Sequence, residues 1–417
     1  MQIKDDFDVV VCGGGPAGLM AAIIAAQKGK RVVVLERLNR IGKKLLVTGG
    51  GRCNLTNKTQ LIKFIRSFDN AELFVKPSLK QFTPDALVDF FENHGLKMHS
   101  PNGFQIYPVT EKSIDVVNCL QQITHENGVT IMLDTNIDSL VVGEQEITAV
   151  IAGDVQYNAS RVIIAAGGMS HTELGSNGSG FNLAQGVGHT IVKPVPALTG
   201  LKSNESWPSQ CSGLSIDPAV VYIEDSKYRS FKKRGSVLFT HKGISGPAVL
   251  DLSKYISRLL LEEKAVKLRI RPLPDTNRDE LTTFFIKAQQ KMGGRRLRML
   301  LAESLPARLV NQLMILAGID LEIRAADVKK ENKSRLLEFL DIGIPLSISS
   351  TDEFSSAMVT SGGVCMDEID SHTMQSKNVK GLFFCGEVID VDGPCGGYNL
   401  QWAFSSGYTA GNSAAKV

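Results

Sequence analysis

Apolar and polar positions fall in blocks along this chain, and the blocks change period in an order that predicts an α/β fold. Phe7–Cys12 is an apolar run rich in β-branched residues, the pattern of a buried strand. Leu19–Lys28, mostly Ala, Ile and Leu, predicts a helix that Gly29 stops. Arg31–Leu35 is a second apolar strand, ending on Glu36. Asp85–His94 predicts an amphipathic helix after Thr83-Pro84, Gly103–Pro108 a short strand and Lys112–Asn127 a helix. Val129–Leu133, Ile137–Val142 and Ile147–Ala152 read as short strands, and Arg161–Gly168 as a buried strand ending in small residues.

From Thr190 the texture changes. Pro194-Val195-Pro196 reads as a linker. Ala219–Ile223, Ser236–Thr240 and Val266–Ile270 are short β-rich segments between turns, which predict a β-barrel or sandwich-like insert. Arg278–Met292, Leu297–Ala317 (interrupted at Pro306) and Ala325–Leu340 predict a small helical cap inside it. Ser347–Ser350 and Ala357–Ser361 return towards the first domain, Gly381–Asp390 is a strand, and Trp402–Ala415 is a closing helix. The division expected is 1–192 and 349–417 as two parts of one domain, with 193–348 inserted and its helices at about 275–342.

Between the first strand and its helix stands Gly13-Gly14-Gly15-Pro16-Ala17-Gly18. Gly13 permits the tight turn, Gly15 lets a pyrophosphate approach the backbone, and Gly18 lets the helix pack closely on the sheet. The helix N-terminus offers N–H groups and a positive dipole end to phosphates. Glu36, 18 residues after Gly18, can accept both hydroxyls of an adenosine ribose. The position of this fingerprint near the N-terminus, with further motifs downstream, points to non-covalent FAD as the resident ligand.

Downstream come Arg37, Lys44 and then Thr48-Gly49-Gly50-Gly51-Arg52-Cys53-Asn54. Three successive glycines can fold their amides onto a ligand, and the basic residues can face phosphates. The run Gly42–Asn57 resembles the signature of the BaiN-like family of bacterial flavoproteins, NAD(P)/FAD-dependent oxidoreductases. Leu238–Pro247 is similar to a second signature of that family, and Gly381–Gln401 to a third. The resemblance covers nearly the full length. It implies a Rossmann-like FAD-binding domain of the glutathione-reductase-like type, with an inserted β-barrel domain carrying the helical cap.

The resemblance also implies roles. Gly386, Glu387 and Asp390 follow the late strand, and Glu387 would bond a ribityl hydroxyl. Gly397, Tyr398, Asn399, Leu400 and Gln401 would present the closing helix's N-terminus to the flavin N1–C2=O edge. Ala166, Gly167 and Gly168 would pack near the FAD phosphates, with Ala166 where Thr is usual, and Ile137 would bring backbone to the adenine. Ser179 stands at a family Asp position and Asn177 at a family Thr position.

Composition narrows the field. With 46 Lys and Arg against 43 Asp and Glu, the net charge of +3 gives no global field for nucleic acid or an anionic membrane. Lys291–Arg298 and Lys329–Arg335 are basic runs without interleaved aromatics and read as solvated helix faces. The polar Met1–Asp6, the lack of a long apolar run and seven scattered cysteines lead to the expectation of a cytoplasmic protein with reduced thiols and no membrane span. Seven histidines and no clustered acids give no case for a metal.

No catalytic residue is fixed by pattern. Cys53, His241 and Tyr398 are the candidates. The function expected is an FAD-dependent oxidoreductase acting on a small molecule, reduced by NAD(P)H in a ping-pong cycle. Only one complete dinucleotide fingerprint is present, so nicotinamide would bind transiently, in the cleft between the FAD domain and the insert. An amine or hydroxy-compound oxidase using oxygen, a tRNA-modifying flavoprotein and a flavin-binding regulator remain as alternatives, and the oligomeric state stays open.

Overall fold

A computed structural model describes residues 2–4, 7–228 and 230–416. Its centre is a five-stranded parallel sheet in the order Leu382–Phe384, Val162–Ile164, Val9–Cys12, Val32–Leu35, Thr130–Met132. The first four are buried at every residue, which is why they read as unbroken apolar runs rather than alternating ones. Because all five run the same way, the loops after Cys12, Leu35, Ile164 and Phe384 leave one common edge, where doubly wound sheets take ligands. A second sheet orders Gln2–Lys4, Val155–Asn158, Glu146–Ala152 and Ser139–Gly143.

The glycine-loop helix spans Pro16–Gln27, three residues earlier than expected, because Pro16 sits where the missing N–H costs nothing. The closing helix likewise starts at Tyr398, not Trp402, and runs to Ala414. The two pack at close quarters. A Cβ on Gly407 would collide with the carbonyl oxygen of Ala17, and one on Gly411 with that of Ala21.

Two sequence expectations are corrected. Pro194-Val195-Pro196 is no linker: it lies in the strand Ile191–Ala197, which pairs with Val359–Val364. Proline survives there because a two-stranded sheet leaves each strand an unpaired edge. Ser347–Ser350 does not return to the first domain. It belongs to Ile344–Thr351, a barrel strand whose Ile344, Leu346 and Ile348 alternate into the barrel core.

Residues 196–353 form one compact unit, and 1–195 with 354–417 the other. The inserted unit holds a closed six-stranded barrel ordered Leu201–Ser203, Gly243–Ser245, Lys232–Phe239, Ser215–Ile223, Val266–Arg271, Ile344–Thr351. Its helices among the described residues are Trp207–Gln210, Pro247–Leu259, Arg278–Lys291, Leu297–Leu301, Ala307–Leu316 and Lys330–Asp341. Their apolar faces join the barrel's inward residues in one core. Among the described residues no helix is long and apolar enough to cross a membrane.

Replacing Gly407 with Val should overpack the two helices of the first unit and cost about 1–3 kcal/mol. Urea unfolding is the measurement, and an unchanged midpoint would disprove the close approach.

Candidate functional site

The ligand edge of the parallel sheet is built by glycines of two kinds. Gly13 has φ +116°, and a Cβ there would lie 2.6 Å from the Ala165 carbonyl oxygen. A Cβ on Gly18 would run into the Gly13 carbonyl oxygen, so both are demanded by packing. Gly15 and Gly50 differ: a Cβ on either would meet nothing within 4 Å. Backbone is open to a ligand at Gly15, where the fingerprint expects a pyrophosphate, and at Gly50 in the turns Lys44–Gly51, so the residues fit FAD. Pro16 and Ala17 continue this loop as the first helical residues.

Glu36 stands at the end of its strand with both oxygens engaged. Oε2 accepts from the Gly14 N–H at 2.7 Å and Oε1 from the Leu38 N–H at 2.8 Å. The carboxylate is thus fixed beside the glycine loop, with remaining lone pairs for hydroxyl donors. Arg37 donates to the Gly175 carbonyl at 3.1 Å, which spends part of its guanidinium on the fold. Asn177 Oδ1 accepts from the Ser179 N–H at 3.2 Å, a side-chain turn just before the helix Ser179–Gly186. Ile137 is half-buried against the core just before the strand Ser139–Gly143.

A second anchor joins segments far apart in sequence. Lys44 Nζ lies 2.5 Å from Glu387 Oε2 and donates to Ser170 Oγ at 2.5 Å. Glu387 Oε1 accepts from Ser170 Oγ at 2.8 Å and from the Thr360 N–H at 2.7 Å. Thr360 Oγ1 in turn accepts from the N–H groups of Met169 and Ser170. Burial raises the Glu387 pKa, but the Lys44 charge and the hydrogen bonds from Lys44, Thr360 and Ser170 outweigh it and hold the carboxyl below its usual range. A Cβ on Gly168 would meet Thr360 and Glu387, so the strand end Ala166-Gly167-Gly168 must stay small there. Ser170 and Thr360 escaped sequence reasoning, since a lone Ser and a lone Thr at unrelated spacing carry no signal.

The third part is the loop Thr48–Asn54 with the start of the closing helix. Lys44–Gly51 forms tight 3-10 turns, with Gly49, Gly50 and Gly51 at φ +58°, +67° and +83°. Thr48 Oγ1 donates to the Leu45 carbonyl. Asn54, with its amide oxygen facing Gly397, accepts from the Gly397 N–H at 3.1 Å and from Gln105 Nε2 at 2.9 Å. Arg52 lies over the Tyr107 ring, 4.9 Å from its centroid. Asn399 braces the loop before the helix, accepting from the Gly393 N–H and donating to its carbonyl. Leu400 is half-buried, and Gln401 is fully buried, donating to the Phe82 carbonyl. Gly386 donates its N–H to Ser406 Oγ, and Asp390 donates its own to the Val364 carbonyl.

The three catalytic candidates fare differently. Cys53 is fully buried, and burial pushes its thiol up to about 12, so it has neither access nor a thiolate. Tyr398 is buried too, its ring centroid 4.4 Å from that of Phe64 and its hydroxyl 3.3 Å from Thr59 Oγ1, a packing position. His241 is exposed in the barrel turn between Lys232–Phe239 and Gly243–Ser245 of the inserted unit.

The sequence profile of the HI0933-like protein Rossmann domain matches residues 7–413. A 3-dehydro-bile acid delta(4,6)-reductase of Clostridium scindens is 34% identical over 97% of this chain and 98% of its own length. A ribosomal RNA dihydrouridine synthase of Escherichia coli is 30% identical over 96% of each chain. Among solved structures, a 3-ketosteroid delta1-dehydrogenase from Sterolibacterium denitrificans superposes with a TM-score of 0.55 at 14% identity, covering 99% of this chain and all of that one. The E. coli quinol fumarate reductase gives 0.54 at 15% identity, over all of this chain and 71% of that one. At these identities the structures attest the fold.

Substituting Lys44 by Met strands the Glu387 carboxylate, which is only 20% exposed, and should lower stability at pH 7 by about 2–3 kcal/mol. Because Glu387 titrates below its usual 4.5, its contribution is present at neutral pH and lost as pH falls through the lowered value. Glu387→Gln should therefore flatten that acid limb in urea unfolding followed from pH 7 downward. An unaltered acid limb would dismiss the ion pair as a stabilising contact.

Proposed function

This chain belongs to the HI0933-like family and is a BaiN-like FAD-dependent oxidoreductase, and from that premise we propose that it reduces a carbon–carbon double bond conjugated to a carbonyl. The observation that carries this is shared chemistry. A delta(4,6)-reductase of a 3-dehydro steroid and a synthase that makes dihydrouridine both saturate such a bond. FAD, when bound, accepts a hydride from a donor and gives it up to an acceptor.

The chain's own residues hold the cofactor in this reading. The amides of Gly15, Ala17 and Gly18 at the helix start take the pyrophosphate, and Glu36 accepts from the adenosine ribose. Glu387, kept ionised by Lys44, accepts from a ribityl hydroxyl. The N-terminus of Tyr398–Ala414 would present its dipole to the flavin N1–C2=O edge and favour negative charge there. NAD(P)H is the donor and leaves before the substrate enters the same space, which gives ping-pong kinetics. The single dinucleotide fingerprint supports this, since it leaves no dedicated nicotinamide domain.

The primary reading has the double bond in a small ring compound. A second reading, a uracil within RNA, is favoured by two dihydrouridine synthases similar over nearly the full length, at 30% and 29% identity.

The purified protein should release FAD, not FMN, on denaturation. Glu36→Ala should weaken FAD retention by roughly 1.5–3 kcal/mol, the worth of charge-assisted hydrogen bonds. Chromatography of the released flavin decides both points, and full occupancy in the variant refutes the role of Glu36. Under anaerobic conditions NADPH or NADH should bleach the flavin, and a 3-oxo-4,6-diene steroid or ribosomal RNA should restore its colour. Initial rates should give parallel lines in double-reciprocal plots. A ternary complex of nicotinamide and substrate would overturn the ping-pong cycle, and inertness to both acceptors would overturn the reductase.

A further inference from the structure

The helical part of the inserted unit carries charge that the fold does not use. Residues 287–335 contain eleven Lys and Arg against five Asp and Glu, a net +6 within a chain of +3, so the remainder is net negative by three. Several arginines of the inserted unit, inside that stretch and outside it, are spent on acids. Arg269 bonds Glu224 and Glu338, Arg278 bonds Asp341, and Arg296 and Arg298 share Glu322. Lys287, Lys291, Arg324, Lys329, Lys330 and Arg335 are exposed and have no ion pair among the described residues.

These six come from segments distant in sequence that backbone and side chain stitch together. The Ala326 N–H donates to the Gly293 carbonyl at 3.2 Å and the Ala325 N–H to the Arg295 carbonyl at 2.9 Å. The Leu297 N–H donates to the Ile323 carbonyl at 3.1 Å. Lys333 Nζ donates to Gln289 Oε1 at 2.8 Å, tying Lys330–Asp341 to Arg278–Lys291. Lys287 and Lys291, one turn apart, therefore share a neighbourhood with Arg324, Lys329 and Lys330. Asp327 and Glu331 are the acids in that segment and leave the balance positive. Gathering unpaired like charges costs stability, and a polyanion relieves that repulsion.

We propose that this cationic face docks the phosphate backbone of folded RNA. The proposal rests on the RNA reading of the substrate and deepens it by naming the surface that holds the nucleic acid. The type of RNA follows from what the face lacks. Phe284 and Phe285, the aromatics of Arg278–Lys291, pack against the inserted unit's core, so no ring is offered for unstacked bases. Recognition is by phosphate and groove shape, as in double-helical RNA.

The test uses the full chain with its flavin and no nicotinamide, so that binding is read without turnover. Fluorescence anisotropy with a labelled RNA hairpin should give an affinity that falls steeply with salt, and an unstructured oligouridine of equal length should bind more weakly. The triple substitution Arg324→Glu, Lys329→Glu, Lys330→Glu should weaken hairpin binding at least about tenfold and cut the log–log salt slope by about 2–3. Flavin content and NAD(P)H bleaching should not change. Lys329→Gln with Lys330→Gln supplies a milder variant should the triple one misfold. Hairpin binding untouched by either variant, or preference for oligouridine, would overturn the face. So would competition by vesicles of equimolar phosphatidylglycerol and phosphatidylcholine at matched charge, which would assign it to a membrane. In a second assay with NAD(P)H added, RNA reduced equally well by variant and parent would sink the face while keeping the substrate reading. RNA bound through the face but never reduced would keep the face and sink that reading.

Discussion

The FAD-binding unit depends on two helices approaching closer than side chains normally permit. The carbonyl oxygens of Ala17 and Ala21 occupy the places where Gly407 and Gly411 would carry Cβ atoms. Through that contact the first helix of the chain lies on the last one. The glycine loop at Gly13–Gly18 and the helix start at Tyr398 are thereby fixed in one body, although almost the whole sequence separates them. Larger residues at those glycines would push the helices apart and move both ends of the ligand edge with them.

Polar anchoring follows the same plan. Glu387 sits at the end of one strand, Ser170 beyond the end of the neighbouring strand, Thr360 on a third element and Lys44 in the tight turns after Glu36. A carboxylate so withdrawn from water is tolerated because one cation and two further donors meet it. The arrangement leaves it ionised and immobile, which is what an acceptor for sugar hydroxyls requires. Glu36 shows the same economy at lower cost, since two backbone N–H groups aim its carboxylate and no cation pairs with it among the described residues.

The inserted unit divides its labour between layers. Alternating apolar residues such as Val266, Leu268 and Ile270 fill the barrel from inside, and the helices' apolar faces join them in one core. On the helical segments acids pair with Arg278, Arg295, Arg296 and Arg298, while Arg324, Arg335 and Lys287, Lys291, Lys329 and Lys330 have no ion pair among the described residues. A modest net charge for the whole chain conceals this separation.

The parallel strands, the helix after the glycine loop and the presence of a β-rich insert were legible in sequence. Each is a local pattern: unbroken apolar runs for strands buried on both faces, glycine spacing for a phosphate turn, short strands between turns for the barrel. The acid at the end of the second strand was legible for the same reason, because a fixed spacing within one βαβ unit puts Glu36 beside Gly14. The partners of Glu387 were not, since Lys44, Ser170 and Thr360 meet it across separations of 343, 217 and 27 residues that only the packed sheet closes. Cys53 and Tyr398 were candidates by motif alone, and both are buried, because exposure is a property of packing. Two basic runs read singly as solvated helix faces are linked by the backbone bonds between the segments 293–297 and 323–326, which no local pattern announces. Sequence by itself determined what depends on neighbours a few residues away; tertiary structure decided which distant charges and hydroxyls would share a dielectric and a distance.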